Sequence, residues 1–186
     1  MSSTLALLVI DVQVGAFDGQ RCQPIADADR LLATTQGLIS AARAAGRPVI
    51  HVQHGDDAGR VFEEDSAQWH IHPSVAPAPG ELVVRKRQSS AFADTALEAE
   101  LRERGIMTLA VCGLQSEHCV TNTTLAALER SFTVLLAHDG HSTWPSATQT
   151  AQQIASQQNE VLAARGAQQM ACRDIESRFA VAGADG

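Results

Sequence analysis

Short apolar segments alternate with longer amphipathic segments along the whole chain. The apolar segments cover residues 5–10, 49–52, 82–84, 107–112 and 133–137, lengths that are typical of strands. The first of them, Leu-Ala-Leu-Leu-Val-Ile, is continuously apolar rather than alternating, as expected for a central strand covered on both faces. Strands that alternate with helices indicate consecutive βαβ units. The pattern therefore predicts an α/β domain built around a mostly parallel sheet.

The longer segments between these strands predict helices. Apolar residues at helical spacing, with proline near the start or glycine at the end, indicate helices within residues 24–46, 94–104 and 145–166. Ser116 is placed to cap a further helix before the fifth strand. Residues 168–170 add an edge strand, which brings the sheet to about six strands.

A long loop is predicted over residues 55–80, between the second and third strands. This segment mixes acidic residues, prolines, histidines and Trp69 without a clear period. Loops of this length are often functional, so we expect it to shape a binding site.

The length and charge of the chain limit its possible roles. A chain of 186 residues can bury a continuous core, and no linker or repeat divides it, so we predict a single domain over residues 1–186 with a frayed tail at 182–186. The formal net charge is -7, with 14 Lys+Arg against 21 Asp+Glu. No basic stripe is available to neutralise phosphates, which disfavours nucleic-acid binding.

The N-terminus and the cysteines bear on the cellular compartment. Residues 1–4 lead directly into the first strand, without the basic and apolar regions of a signal sequence. Secretion and membrane insertion are therefore both disfavoured. The four cysteines, Cys22, Cys112, Cys119 and Cys172, show no zinc-site spacing, and a core of this size needs no cross-links. We expect reduced thiols in a cytoplasm.

Three polar residues follow predicted strands at their carboxyl ends. Asp11 follows the first strand, Lys86 follows the third, and Cys119 comes after the fourth strand and a turn at Gly113. Right-handed crossovers bring the carboxyl ends of parallel strands to one edge of the sheet, where open α/β sheets bind ligands. We therefore expect these three side chains to meet.

Cys119 has the most specific local setting of the three. With Ser116 as the cap, Cys119 lies in the first helical turn, where the helix dipole and free backbone N–H groups favour an anion. We expect a lowered pKa for its thiol, lowered further by a cation such as Lys86, and the same N–H groups can hold a developing oxyanion. An inert cysteine packed under the helix explains this segment alone equally well.

Asp11 and Lys86 also have two interpretations each. Asp11 is placed to take the thiol proton and return it to a leaving group, but carboxylates are common at strand ends, where they stabilise turns. Lys86 belongs to the run Arg85-Lys86-Arg87, which is also typical of a solvated basic turn. The position of Asp11 or of Lys86 in the sequence does not by itself decide between its two interpretations.

Together these segments resemble the isochorismatase-like cysteine hydrolases, the superfamily of nicotinamidases, N-carbamoylsarcosine amidohydrolases and streptothricin hydrolase-like amidases. Residues 8–13 followed by Phe17 are similar to the first strand and catalytic aspartate of that family. Residues 86–92 are similar to its lysine segment, residues 111–120 to its nucleophile loop, and residues 139–143 to the segment after its fifth strand. The resemblance extends over nearly the whole chain.

The resemblance implies a fold and a reaction. The fold is a three-layer α-β-α structure with strand order 3-2-1-4-5-6. The reaction is hydrolysis of an amide-like carbon–nitrogen bond in a small molecule, with Asp11, Lys86 and Cys119 as a triad and a thioester on Cys119 as the intermediate. Members of the family usually form dimers or tetramers, so a homodimer or homotetramer is implied here.

The resemblance also implies the local geometry of the nucleophile. A cis peptide bond is expected between Leu114 and Gln115, shaping the oxyanion site. The backbone N–H groups of His118 and Cys119 are the expected oxyanion donors. The His118 side chain is not expected to be the base, because adjacent residues on a helix point in different directions.

Departures from the family pattern narrow the reaction. Isochorismatases that cleave a vinyl ether lack the nucleophilic cysteine, so Cys119 favours carbon–nitrogen chemistry. Nicotinamidases bind a metal through an Asp-x-His segment, which residues 54–57 do not reproduce. The histidines at positions 51, 54, 70 and 72 lie in different elements without the partners that orient metal ligands. We predict no metal and no other cofactor.

Four aromatic residues flank the catalytic segments and are candidate pocket walls, although a place in the core or an interface suits each of them equally. They are Phe17, Trp69, Phe92 and Trp144.

Two other classes of function remain open. A thiol-based redox or stress protein would need a resolving cysteine, for which Cys112 is the candidate. A non-catalytic small-molecule binding protein could use the same fold.

Overall fold

The computed structural model describes residues 4–181. Six strands form one parallel sheet in the order β3-β2-β1-β4-β5-β6, which confirms the predicted order. The strands are β1 (Thr4–Ile10), β2 (Val49–His54), β3 (Leu82–Lys86), β4 (Ile106–Leu114), β5 (Thr133–Ser142) and β6 (Gln168–Met170). The helices are α1 (Ala28–Ala44), α2 (Leu97–Glu103), α3 (Thr121–Glu129), α4 (Ala151–Ala164) and α5 (Cys172–Val181).

Two apolar cores lie on the two faces of the sheet, so the molecule has the predicted three layers. Alternate residues of the central strand β1 enter opposite cores: Leu7 and Val9 pack with α1 and α5, whereas Leu8 and Ile10 pack with α2, α3 and α4. Burial on both faces explains why this strand is continuously apolar.

Several helix boundaries differ from the sequence prediction. The helix α1 begins at Ala28 rather than at Pro24, and α2 begins at Leu97 rather than at Asp94. Asp94 has a φ of 56°, in the left-handed region, which is not the extended conformation of a capping residue. The helix α4 begins after Thr150, whose hydroxyl accepts the Gln153 N–H while the Gln153 side chain accepts the Thr150 N–H.

One helix was missed, and most strands extend further than predicted. The helix α5 covers Cys172–Val181, for which no element was predicted. The second and third strands each continue by two residues, to His54 and Lys86. The predicted loop over residues 55–80 is confirmed as a connection without a long helix or strand, and it includes short 3₁₀ turns. Within residues 4–181, no helix is both long and apolar enough to cross a membrane.

Candidate active site

The three strand-end residues meet at the carboxyl edge of the sheet. Lys86 is the last residue of β3, and its Nζ donates to Asp11 Oδ2 at 2.8 Å and to Cys119 Sγ at 3.1 Å. Asp11 and Lys86 are 1% and 3% exposed. The structure therefore brings these residues together, and Lys86 is not part of a solvated turn.

The backbone directs Asp11 into this site. Its N–H donates to Val52 O at 3.0 Å, which ties the end of β1 to β2. Its φ of 54° lies in the left-handed region, where aspartate is among the few side chains tolerated. One carboxylate oxygen, Oδ2, accepts from Lys86, whereas the buried Oδ1 has no hydrogen-bond partner among the described residues. Oδ1 is therefore available to accept a proton or a substrate N–H.

A close backbone approach sets the start of the nucleophile segment. Gly113 has a φ of 123°, and a Cβ at this position would lie 2.1 Å from Ile10 O, so only glycine fits. The peptide bond between Leu114 and Gln115 is cis, as the resemblance implied. A π-helical turn, Ser116–Val120, then carries Cys119 and leads into α3.

Ser116 does not cap this helical segment, contrary to the sequence prediction. The residue that precedes the turn is Gln115, and no side chain caps it. The Ser116 hydroxyl instead lies 2.7 Å from His141 Nδ1, and His141 Nε2 lies 2.9 Å from Asn159 Oδ1. This buried chain of contacts ties the start of the nucleophile segment to β5 and α4.

The electrostatic setting of Cys119 differs from the expectation. Burial and the Asp11 carboxylate raise the pKa of the thiol to about 12, although Lys86 acts in the opposite direction. The predicted lowering of the pKa is therefore wrong, because burial and Asp11 outweigh the lysine. Burial also works against the charge of Lys86, but Asp11 and Cys119 outweigh it and raise the pKa of the ammonium. The two raised pKa values favour the ammonium form of Lys86 and the thiol form of Cys119.

His54 is a site residue that the sequence did not reveal. It ends β2, and its Nδ1 lies 3.0 Å from Lys86 Nζ. Its Nε2 lies 3.2 Å from Asp56 Oδ1. This histidine was named from the sequence only among those without the partners of a metal ligand; because the predicted strand ended at residue 52, the position of His54 at the end of β2 was not recognised.

Ligand atoms of three residues are close enough together to surround a cation. Atoms of Asp11, His54 and Cys119 all lie within 4.8 Å of one another. The Lys86 ammonium already contacts all three, at 2.8 Å, 3.0 Å and 3.1 Å respectively. A positive charge of the protein itself therefore lies among these three groups.

A cavity of about 210 Å³ opens beside Cys119. Its polar walls include Asp11, His54, Asp56 and Cys119. The other lining residues supply apolar side chains, the edge of the nucleophile loop and one imidazole: Val61, Phe62, Leu114, Gln115, His118 and Trp144. The cavity is lined by the loop after β2, which agrees with the expectation that this loop shapes the site.

Of the four aromatic residues predicted as pocket walls, Trp144 lines this cavity and the other three pack elsewhere. Phe17 packs edge-on against His72, with ring centroids 5.1 Å apart. Phe92 packs against Phe132 in the core beneath α2 and α3. Trp69 lies under the Arg85 guanidinium, whose Cζ is 4.8 Å from the centroid of the indole ring. It lines a second cavity of about 300 Å³, whose walls also include Lys86. Phe62, which was not predicted as a pocket wall, lines the cavity together with Trp144.

The π-helical turn that carries Cys119 also contains the backbone of the two predicted oxyanion donors, His118 and Cys119. The His118 N–H donates to Gln115 O at 3.2 Å, so a ligand oxygen would compete with that carbonyl for it. The His118 side chain is 62% exposed, and its Nε2 lies 3.9 Å from Glu117 Oε1. The imidazole thus turns toward solvent and Glu117, in agreement with the expectation that it is not the base. The Ser89 hydroxyl also lies near the thiol, 3.9 Å from Cys119 Sγ.

Comparison with known proteins places this chain in a family. A family model described as the isochorismatase domain matches residues 5–174. Streptothricin hydrolase from Streptomyces noursei is 45% identical over 139 residues, which make up 75% of this chain and 54% of that protein. The chain thus spans about half the length of the streptothricin hydrolases that it matches.

More distant relatives cover larger shares of both chains. The ureidoacrylate amidohydrolase RutB from Stutzerimonas stutzeri is 28% identical and covers 81% of this chain and 75% of that protein. The crystal structure of an isochorismatase from Pseudomonas putida KT2440 superposes with a TM-score of 0.86 at 30% identity, covering 91% of this chain and 89% of that one. The chain therefore belongs to the isochorismatase family, as its sequence predicted.

Proposed function

We propose that this protein is a cysteine hydrolase that cleaves an amide-like carbon–nitrogen bond of a small molecule through a thioester on Cys119, without a metal or other cofactor. The observation that carries the proposal is the buried contact of the Lys86 ammonium with both the Asp11 carboxylate and the Cys119 thiol, beside a cavity open to a ligand. Close contact among a thiol, a carboxylate and a fixed positive charge supports covalent acyl transfer at this point.

The proposed first half-reaction forms the thioester. Cys119 Sγ attacks the substrate carbonyl carbon while its proton passes to Asp11, whose Oδ1 has no other partner. The resulting oxyanion is held by the backbone N–H groups of His118 and Cys119. When the carbon–nitrogen bond breaks, Asp11 gives its proton to the leaving amine. A raised thiol pKa suits this sequence, because the proton moves as the substrate binds rather than being lost at rest.

The proposed second half-reaction reverses these roles with water. Asp11 takes a proton from a water molecule, whose oxygen attacks the thioester carbonyl. The carbon–sulfur bond then breaks, and Cys119 is released as a thiolate that recovers its proton from Asp11. The products are a carboxylic acid and an amine, and the protein returns to its starting state. The Lys86 ammonium stays charged throughout and balances whichever anion forms beside it.

The names of relatives support the bond that we propose. One relative is a hydrolase of streptothricin and another is an amidohydrolase of ureidoacrylate. The cavity of about 210 Å³ is small by the standard of ligand sites, about 300–1,000 Å³, and so favours a compact acyl group between Phe62 and Trp144. The Lys86 ammonium lies among Asp11, His54 and Cys119, the residues that could otherwise bind a cation, which supports a reaction without a metal.

The cellular compartment and the oligomeric state are also part of the proposal. The four cysteines are unpaired thiols, which supports a reducing compartment such as the cytoplasm. A homodimer or homotetramer rests on the family resemblance. A redox role is less well supported, because Cys112 packs in the core with α1 and α5, whereas Cys119 packs against the core on the other face of the sheet.

A panel of small primary amides tests the proposal. Ammonia release is measured for the wild type, Cys119→Ala and Cys22→Ser, the last being a matched control at a partly exposed thiol outside the site. We expect release that requires Cys119 and is unaffected by the change at Cys22. An aldehyde analogue of any active amide should form an adduct on Cys119. Hydrolysis that persists in Cys119→Ala, or that requires an added metal, would overturn the proposal.

A further inference from the structure

The Lys86 ammonium has three protons and three acceptors in the site. Its Nζ contacts Asp11 Oδ2 at 2.8 Å, His54 Nδ1 at 3.0 Å and Cys119 Sγ at 3.1 Å. An ammonium group has three donors and no acceptor, so each contact uses one N–H. Because Lys86 is 3% exposed, water is poorly placed to replace a lost acceptor.

This count of donors and acceptors determines which ring nitrogen of His54 carries the proton. A nitrogen that faces a donor-only group must present its lone pair, so Nδ1 is unprotonated and Nε2 carries the hydrogen. His54 Nε2 lies 3.2 Å from Asp56 Oδ1, which accepts that hydrogen. The other oxygen of Asp56 accepts the Phe62 N–H at 3.2 Å, which holds the carboxylate in place. The loop after β2 therefore selects the neutral tautomer that the lysine requires.

The backbone of His54 is fixed as firmly as its ring. The Gln13 side chain, which is 0% exposed, accepts the His54 N–H at 2.8 Å and donates to His54 O at 2.9 Å. The imidazole also lies edge-on to Phe62, with ring centroids 6.2 Å apart. A side chain that merely filled space at the end of β2 would not need these orienting contacts.

We propose that neutral His54, oriented by Asp56, is a positioning residue that holds the Lys86 ammonium between Asp11 and Cys119. The inference rests on the proposed acyl transfer to Cys119. Without the imidazole, one buried N–H of the lysine loses its acceptor. The ammonium then turns away from Cys119 or gives up its charge, and the sulfur loses support as its negative charge develops.

The test uses 4-nitrophenyl acetate, an activated acyl donor that needs no knowledge of the natural substrate. Cys119 Sγ attacks the ester carbonyl, 4-nitrophenolate leaves with the bonding electrons, and the thiol proton goes to Asp11. The rate is followed by nitrophenolate absorbance, and the acetyl group is located by peptide mass. The variants are His54→Ala, His54→Asn, whose Oδ1 falls near the position of Nδ1, and His54→Gln, whose amide reaches the position of Nε2 instead. His138→Ala removes an exposed imidazole as the matched control.

We expect His54→Ala and His54→Gln to slow acetylation of Cys119 about tenfold or more, the effect of one lost hydrogen bond to a charged group. His54→Asn should recover the rate to within about threefold of the wild type, and His138→Ala should not change it. Rescue by Asn but not by Gln depends on the acceptor position, which a purely structural role would not distinguish. Melting temperatures of all variants are recorded alongside.

Two failures are distinguishable. If wild-type Cys119 is not acetylated, the proposed function fails and His54 is not at issue. If Cys119 is acetylated but His54→Ala reacts within about twofold of the wild type, the positioning role is overturned and the proposed function stands. If His54→Ala does not fold, equal rates for Asn and Gln at this position overturn the inference.

Discussion

The Lys86 ammonium and the Asp11 carboxylate form an ion pair with a 2.8 Å contact in which neither residue is more than 3% exposed. Charges so completely removed from water are tolerated only when each has its partner. The pair therefore ties stability to function, since the groups proposed to move the thiol proton are also those that neutralise each other in the buried site.

Removal of the lysine should be costly for folding. We expect Lys86→Met to lower the free energy of unfolding by about 3–5 kcal/mol, because Asp11 is left buried without its counter-charge. Denaturant unfolding measures the loss. The double variant Asp11→Asn with Lys86→Met should recover most of it, since an uncharged pair has no such penalty. A single variant as stable as the wild type would show that water reaches Asp11.

Asp11→Asn should separate thiol reactivity from turnover. Asp11 raises the pKa of Cys119 and Lys86 lowers it, so removal of the carboxylate should lower the thiol pKa and speed alkylation by iodoacetamide at neutral pH. Amide hydrolysis should nevertheless be lost, because no base remains to move the proton. Mass spectrometry at Cys119, with the partly exposed Cys22 as internal control, measures the alkylation. Slower alkylation of the variant would contradict this account of the thiol.

The glycine before the nucleophile segment should tolerate no side chain. A Cβ at Gly113 would approach Ile10 O to 2.1 Å, and the residue has a φ of 123°. Gly105 also has a positive φ, 65°, but nothing lies within 4 Å of its Cβ position. Gly113→Ala should therefore be less stable than Gly105→Ala by about 2 kcal/mol or more in denaturant unfolding. Equal losses would show that β1 and β4 can move apart.

A network remote from the site should make stability pH-dependent. Burial alone would raise the pKa of Glu81, but hydrogen bonds from Arg43, the Ala78 N–H and His51 lower it to about 2. A carboxylate with a depressed pKa contributes stability above its ordinary pKa of 4.5 and loses it as the pH falls toward 2. Glu81→Gln should cost about 2 kcal/mol at pH 7 and progressively less below pH 4.5. A pH-independent difference in denaturant unfolding would contradict this assignment.

Much of the fold could be predicted from the sequence because its strands are buried on both faces. The run over residues 5–10 identifies the central strand, and the resemblance supplies the strand order. The helix α5 was missed, although Cys172, Ile175 and Phe179 are buried at helical spacing. They are separated by polar residues, so the apolar signal is sparse. The starts of α1 and α2 were misplaced because Asp27 and Asp94 adopt left-handed rather than capping conformations.

The site was predictable where topology alone determines it. Asp11, Lys86 and Cys119 all follow strands, and parallel strands end at one edge. His54 follows a strand as well, but its role depends on a contact with Lys86 that no spacing along the chain reveals. The pKa of Cys119 was predicted in the wrong direction because the helix start and the lysine were weighed without the burial of the thiol and the charge of Asp11, both of which raise the pKa in the assembled site.

Acylation of Cys119 tests the central claim most directly. Wild-type protein is mixed with excess 4-nitrophenyl acetate, quenched in acid at intervals, and analysed by intact and peptide mass with and without hydroxylamine, which cleaves thioesters. The account predicts one acetyl group that appears on Cys119, decays as water completes the reaction, and is removed by hydroxylamine. An acetyl group on another residue, or nitrophenolate release that persists in Cys119→Ser, would contradict it.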